Sequence, residues 1–147
     1  MELSKEMIRL NQSYSTKEDV IRAVGELLVA EGAVEPSYID SMLEREQIVT
    51  THMGNFVAIP HGTDEGKKHV KKTAITLITV PAGVNFAPGA GEEKLAMAIF
   101  GIAGIGNEHL DLLAKIAVFC SDVDNVVRLA DAKMEEEVIA MLGEAEV

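Results

Sequence analysis

The chain has 147 residues and a net charge of −11 at pH 7, with histidine counted as neutral. Apolar residues make up 48% of it, aromatic residues only 4%, and tryptophan is absent. Nucleic acids and anionic lipids are bound through clustered Lys and Arg, so this composition argues against both as partners. The length favours a single domain, residues 1–147, with a sizeable core.

The cysteine content and the apolar runs bear on the cellular compartment. Cys120 is the only cysteine, so the chain holds no internal disulfide. The first residues, MELSKEMIRLNQ, lack the apolar stretch of a signal peptide. No apolar run approaches the roughly 18 residues of a membrane span. We therefore expect a cytoplasmic protein without a membrane-inserted segment.

The first third of the chain predicts two helices. Ser15 and Glu18 form a capping box, and apolar residues then recur at helical spacing as far as Gly32, the predicted end. Pro36 suits the first turn of a second helix, which is predicted to end near residues 44–46.

The middle of the chain predicts three strands. Residues 56–59 form a short strand before Pro60, and the β-branched residues 73–80 form another before a turn at 81–83. Residues 64–69 are polar and suit a short helix or turn. Residues 95–105 are too apolar to face solvent, and their first part predicts a central strand buried on both faces.

The last third predicts three helices, the first with Asn107 as its N-cap and two more at roughly 122–130 and 133–142. Helices that alternate with strands indicate an α/β fold. We predict a three-layer sandwich, in which helices flank both faces of a mixed sheet.

The stretch AIPHGT, residues 58–63, places His61 directly after a predicted strand, where α/β folds tend to bind ligands. Pro60 fixes the backbone before it, and Gly62 leaves room, and an accessible N–H, for an incoming group. A neutral imidazole is a competent nucleophile, and histidine titrates near pH ~6.5. Taken alone, the pattern also fits a histidine in a tight turn.

Two further residues are suited to binding an anion. His109 lies in the first helical turn after Asn107, where unpaired N–H groups and the positive end of the helix dipole attract phosphate or carboxylate. Arg45, between two glutamates at a helix end, offers a rigid fork of donors that matches phosphoryl oxygens. The alternatives are an exposed histidine at a helix start and a surface ion pair.

A zinc site is the competing interpretation of these histidines. His61 and His109 could supply two ligands, with His52 or an acid as the third, but HExxH, CxxC and HxH spacings are absent. GxGxxG and GxxxxGK[ST] are absent too, so nucleotide binding has no support. Cys120 falls on the apolar stripe of its helix and is interpreted as core. We expect no metal and no cofactor.

A longer motif surrounds His61: Glu46, six further residues, Met53-Gly54, two more residues, and VAIPHG at 57–62. It resembles the active-site signature of enzyme IIA of the mannitol/fructose class, a component of the phosphoenolpyruvate-dependent sugar phosphotransferase system. The resemblance also covers MLERE around Arg45 and GNEHLDLL around His109, and it extends from about residue 5 to residue 145.

This resemblance implies a phosphoryl carrier built on a mixed sheet of about five strands. In the family, the histidine of the IPHG segment accepts phosphate from phospho-HPr and passes it to a cysteine of enzyme IIB, and sugar is phosphorylated during import. Carried over, His61 is the phosphorylated residue. His109 lies beside it and helps to hold the phosphoryl group, and Arg45 stabilises the phosphoryl charge.

Within the class, MGNFVAIPHGTDEGK and GIAGIGNEHLDLLAKIA resemble the mannitol-specific branch most. Some members carry an acid where Asn55 stands, so Asn55 could support the phosphoryl site, along with Gly62, only as a neutral hydrogen-bonding group. Fructose-specific carriers and nitrogen-regulatory signalling relatives are the alternatives. The chain has room for the IIA part alone, so we expect IIB and IIC on separate chains.

Overall fold

A mixed five-stranded sheet forms the centre of the molecule. The computed structural model describes residues 3–147, and the strands lie in the order β1-β4-β5-β3-β2. The strands are β1 (Ile8–Arg9), β2 (His52–Gly54), β3 (Val57–Ala58), β4 (Ala74–Asn85) and β5 (Leu95–Ala103). The helices are α1 (Lys17–Ala30), α2 (Tyr38–Ile48), α3 (Glu108–Cys120), α4 (Val123–Asp131) and α5 (Glu135–Glu144), with short 3-10 helices at Lys5–Met7 and Glu65–His69.

Helices cover both faces of this sheet. α1 and α2 pack on one face, for example through Leu28 and Met42. α3, α4 and α5 pack on the other, for example through Ile116, Leu129 and Val138. The predicted three-layer α/β sandwich is confirmed.

β5 lies in the middle of the sheet, antiparallel to β4 and parallel to β3. Every residue from Ala98 to Ala103 is buried, because each face of the strand meets a helical layer. The central strand predicted at the start of 95–105 is confirmed, and its lack of polar alternation has this cause.

The strand predicted at residues 56–59 is shorter than expected. Asn55 and Phe56 have φ angles of 50° and 65° and form the two-residue turn between β2 and β3. Two consecutive non-glycine residues with positive φ form a tight turn, so β3 begins at Val57. The sequence did not predict β1 and β2, because strands of two and three residues are too short to show an alternation of apolar and polar residues.

The predicted turn at residues 81–83 is wrong. β4 continues through them to Asn85, and its register with β5 shifts between Thr79 and Val84. Gly83 has a φ of 82°, in the left-handed region that glycine adopts freely. Proline and glycine therefore mark a bulge inside one long strand here, and not its end.

α1 begins one residue later than predicted. Thr16, and not Ser15, is the N-cap, because the Thr16 side chain accepts a hydrogen bond from the Asp19 N–H at 3.2 Å. The predicted end at Gly32 is confirmed. Gly32 has a φ of 72°, and its N–H and that of the next residue bond back to carbonyls in the last turn, at 2.9 and 3.0 Å.

The other helices differ from prediction mainly at their ends. α2 runs to Ile48, and Pro36 lies ahead of its N-cap, Ser37, instead of in its first turn. Asn107 is the N-cap of α3 as predicted, although its side chain makes no capping hydrogen bond. α4 and α5 lie within two residues of the predicted segments. Within residues 3–147, no helix is both long and apolar enough to span a membrane.

Candidate functional site

His61 lies just beyond the C-terminal end of β3, in a loop held from both sides. The Ile59 N–H donates to the Thr51 carbonyl at 3.1 Å, and the Ile102 N–H donates to the Pro60 carbonyl at 3.0 Å. His61 also forms a parallel bridge with Ile102 of β5. The backbone that carries the imidazole is therefore fixed by the sheet.

The protonation of the His61 ring follows from its partners. The ring is half-buried, and Nδ1 lies 2.8 Å from the Ile59 carbonyl oxygen. A carbonyl only accepts, so Nδ1 carries the proton and Nε2 keeps its lone pair. Burial lowers the pKa of His61 below its usual 6.5; the Ile59 hydrogen bond opposes this shift, and the charge of Arg45 adds to it. His61 is thus neutral at pH 7.

His109 lies beside His61, with ring centroids 6.2 Å apart and 34° between the ring planes. It is the second residue of α3, next to the unpaired N–H groups of the helix start. Its Nδ1 is buried without a hydrogen-bond partner among residues 3–147. Burial lowers the pKa of His109 and the charge of Lys67 lowers it further, while Asp64 and the Gly106 backbone oppose the shift. The site thus contains two neutral imidazoles.

Arg45 reaches the site from the last turn of α2. Its Nη1 donates to the Val49 carbonyl at 2.7 Å and so satisfies one of the carbonyls left open at the helix end. The guanidinium has further N–H donors for an anion. Its charge lies close enough to lower the pKa of His61. The structure therefore brings His61, His109 and Arg45 together from three separate parts of the chain.

Asn55 is placed elsewhere. Its Nδ2 donates to the carbonyls of Cys120 and Ser121, at 3.0 and 3.3 Å, at the C-terminal end of α3. His109 lies at the opposite end of this 13-residue helix, roughly 18 Å away along its axis. This geometry does not support the expected role of Asn55 at the phosphoryl site, because its side chain points to a different part of the molecule.

Gly62 is adjacent to His61, but its N–H is not free for an incoming group. That N–H donates to the Tyr38 hydroxyl at 2.8 Å. A Cβ at residue 62 would lie 2.5 Å from Tyr38 Cε1 and 2.6 Å from Ser41 Oγ. Glycine is required here because the loop packs directly on α2, and not because it leaves space for a donor.

Tyr38 and Ser41 are two site residues that sequence reasoning missed. Both are buried, at 4% and 7% exposure, and both hydrogen-bond to the loop after His61. With Arg45 they form an i, i+3, i+7 stripe on one face of α2. This spacing was visible in the sequence, but Ser and Tyr at such positions more often belong to ordinary packing.

Glu46, the first residue of the motif around His61, has a structural role. Its side chain is 3% exposed, pairs with Lys17 Nζ at 3.1 Å, and accepts from the Thr51 N–H and hydroxyl at 2.8 and 2.6 Å. Lys17 also donates to the Phe86 carbonyl at 3.1 Å. The buried carboxylate of Glu46 is therefore fully compensated. Its bonds connect the end of α2 to α1 and to Thr51, whose carbonyl accepts from the Ile59 N–H.

The competing metal interpretation can be compared with the geometry. Among residues 3–147, no three His, Cys, Asp or Glu side chains are grouped so that they could hold a metal ion. Cys120 is buried, and burial raises the pKa of its thiol to about 12, as expected for the predicted core residue. The described residues thus bring two neutral imidazoles and a guanidinium together, without a set of metal ligands.

Comparison with known proteins connects this fold and site to one class of proteins. The family model described as "Phosphoenolpyruvate-dependent sugar phosphotransferase system, EIIA 2" matches residues 1–145. The chain is 55% identical to the mannitol-specific phosphotransferase enzyme IIA component of Enterococcus faecalis over 136 residues, covering 92% of this chain and 93% of the relative. It is 48% identical to the component of the same name from Bacillus subtilis, covering 97% and 96%.

Solved structures agree with this result. A chain from the complex of enzyme IIAMtl with phosphorylated enzyme IIBMtl of Escherichia coli superposes with a TM-score of 0.91 at 37% identity, covering 97% of this chain and 98% of that one. The chain belongs to the EIIA type 2 family of the phosphoenolpyruvate-dependent sugar phosphotransferase system, and the resemblance read from the motif is confirmed.

Proposed function

We propose that this protein accepts a phosphoryl group from phospho-HPr on Nε2 of His61 and passes it to a cysteine of enzyme IIB, for the uptake and phosphorylation of mannitol. The observation that carries the proposal is the hydrogen bond from His61 Nδ1 to the Ile59 carbonyl. It fixes the tautomer and leaves Nε2 with its lone pair directed away from the loop backbone.

The transfer step forms a P–N bond on His61 and breaks the bond that joins the phosphoryl group to HPr. The lone pair of His61 Nε2 attacks phosphorus in line, the bond to HPr breaks, and its electron pair leaves with HPr. The proton stays on His61 Nδ1. As positive charge spreads over the ring, the Ile59 carbonyl stabilises it through a shorter, charge-assisted hydrogen bond. The low pKa of His61 keeps the attacking form populated at pH 7.

Arg45 and His109 are proposed to bind the phosphoryl oxygens. Phosphoryl transfer depends chiefly on positioning and charge stabilisation, which a guanidinium and a neutral imidazole at a helix N-terminus can supply. Replacing Arg45 by Ala is expected to slow transfer while the fold survives. Replacing His109 by Ala is expected to leave uptake on His61 but impair transfer onward to IIB.

The surface around the site suits docking of two protein partners in turn. Exposed apolar residues lie close in the chain to the proposed catalytic groups: Ile48 and Val49 follow Arg45, and Ile105 and Leu110 precede and follow His109. An exposed apolar rim around a polar centre is typical of an interaction site. Phe56 is also exposed, but it lies beyond the opposite end of β3 and is not part of this rim.

The choice of mannitol rests on the relatives. The curated proteins cited above, at 55% and 48% identity, are named as mannitol-specific, and the superposed Escherichia coli chain comes from a complex with phosphorylated enzyme IIBMtl. A fructose-specific carrier or a nitrogen-regulatory signalling protein is the alternative. Phosphoryl transfer that starts from phosphoenolpyruvate takes place in the cytoplasm, and we therefore place the protein there.

The test is the intact mass of the protein after incubation with phosphoenolpyruvate, enzyme I and HPr. One added phosphate, lost in acid and stable in base, is expected. The His61→Ala variant should take up none, whereas the matched control His69→Gln, which changes a histidine bonded to Ser37 and Glu35, should be phosphorylated normally. Stoichiometric phosphate on His61→Ala would refute the site.

Transfer of phosphate from the phosphorylated protein to a mannitol IIB, and not to a fructose IIB, tests the choice of mannitol.

A further inference from the structure

The loop that follows His61 is bound to α2 by two buried hydroxyl groups. The Tyr38 hydroxyl accepts from the Gly62 N–H at 2.8 Å and donates to the Ile102 carbonyl at 2.9 Å. Ser41 Oγ accepts from the Thr63 N–H at 2.8 Å and lies 3.1 Å from the Thr63 hydroxyl. Two consecutive N–H groups after His61 are thus held by α2, and Tyr38 joins the same loop to the central strand.

Packing reinforces these hydrogen bonds. A Cβ at Gly62 or Gly66 would overlap Ser41, so the loop and the following 3-10 helix lie in direct contact with α2. The loop has little room to move toward α2, and the hydrogen bonds prevent it from moving away. The same helix carries Arg45, so α2 sets the position of the imidazole relative to the guanidinium.

We propose that Tyr38 and Ser41 are positioning residues for phosphoryl transfer, which hold His61 Nε2 in line with the incoming phosphorus by fixing the loop at Gly62 and Thr63. The inference rests on the proposed function and adds two residues whose buried hydroxyl groups bond to the loop after His61. A misplacement of the reacting atom by about 1 Å can cost roughly 10²-fold in rate, so loss of such a constraint is measurable in the transfer step.

The experiment compares Tyr38→Phe and Ser41→Ala with the wild-type protein in single-turnover phosphorylation by phospho-HPr. We expect the rate constant at saturating donor to fall about tenfold for Tyr38→Phe, with the half-saturating donor concentration unchanged. Ser41→Ala should act in the same direction, and it carries the test if Tyr38→Phe does not fold. Long-range ¹⁵N–¹H spectra of the His61 ring should show loss of the pure Nδ1–H tautomer in both variants.

Thr79→Val is the matched control for loss of a buried hydroxyl. Thr79 is fully buried in β4, accepts from the Asn11 N–H at 2.9 Å, and pairs with Ala98, four residues along β5 from Ile102. It should transfer at the wild-type rate with an unchanged His61 spectrum, even where its stability is reduced. Equal rates and spectra for wild type and both test variants would overturn the inference, as would an equal loss in Thr79→Val. If the wild-type protein itself takes up no phosphate, the proposed function fails instead.

Discussion

At the scale of single residues, the chemistry depends on which nitrogen of His61 carries the proton. The Ile59 carbonyl settles this, because it is the partner of Nδ1 and can only accept. Burial then keeps the ring neutral, since the charged form loses more solvation than the neutral one. A backbone carbonyl two residues away and partial burial together leave His61 neutral, with a free lone pair on Nε2, at neutral pH.

The pH profile of phosphorylation tests this account. Because the pKa of His61 lies below 6.5, the single-turnover rate should stay constant from pH 8 to 6.5 and fall only at lower pH, about tenfold per unit below the pKa. Direct titration of the His61 ring by NMR separates its protonation from that of the donor. A midpoint above pH 6.5 would contradict the burial argument.

The same shift makes a prediction about stability. The unfolded imidazole binds a proton near pH 6.5 and the folded one does not, so the unfolded state gains protons first on acidification. The free energy of unfolding should therefore fall as the pH drops from 6.5 toward the folded pKa. Urea titrations of wild type and His61→Gln at pH 7 and 5.5 should show a smaller loss in the variant.

At the scale of elements, a residue with positive φ ends one element and lies inside another. Gly32 closes α1 with a positive φ, whereas Gly83, also at positive φ, lies inside β4. The sequence alone suggests that each glycine ends an element. The outcomes differ because β5 continues to pair with β4 beyond Gly83, whereas the chain turns away from the axis of α1 after Gly32.

The N-cap of α1 provides the prediction at this scale. Thr16→Ala should lower the free energy of unfolding by about 1 kcal/mol, because the Asp19 N–H loses its acceptor. Ser15→Ala, the residue that the capping-box pattern selects, should change it by less than about 0.5 kcal/mol. Urea unfolding of both variants is the measurement, and a larger effect at Ser15 would show that the helix begins one residue earlier.

At the scale of the whole molecule, the net charge of −11 and the proposed apolar rim suit two different stages of partner binding. The negative charge favours encounter with partners that carry a positive surface, and we expect the rim to supply short-range contact. The proposed catalytic groups come from the end of β3, the end of α2 and the start of α3. They meet because the C-terminus of α2 and the N-terminus of α3 both lie beside the loop that follows β3.

The rim can be tested with a pair of exposed apolar residues. Ile105→Ser, beside His109, should raise the half-saturating concentration of phospho-HPr several-fold, because a rim contact is lost, and leave the saturating rate unchanged. Val118→Ser changes a residue that is 75% exposed, nine positions after His109 on α3, and serves as the control. Both variants should unfold like the wild type. An effect of equal size at Val118 would refute the rim.

Local pattern was sufficient for much of this protein. The apolar periods placed the five helices to within a few residues, and the unbroken apolar run identified the buried central strand. The motif around His61, with Arg45 and His109 in their own segments, identified the family from the sequence. These features depend on neighbouring residues and on the spacing of apolar and polar positions, and both can be read directly from the sequence.

Other features depend on contacts between distant segments, and only the tertiary structure decided them. β4 continues past its bulge because β5 keeps pairing with it, and Asn55 hydrogen-bonds to the C-terminal end of α3. The Gly62 N–H, which the sequence analysis expected to be accessible to a ligand, donates to the Tyr38 hydroxyl. The tautomer of His61 also follows from the exact path of its loop. Backbone groups bond to whichever partner the fold brings within about 3 Å, and no local pattern specifies that partner.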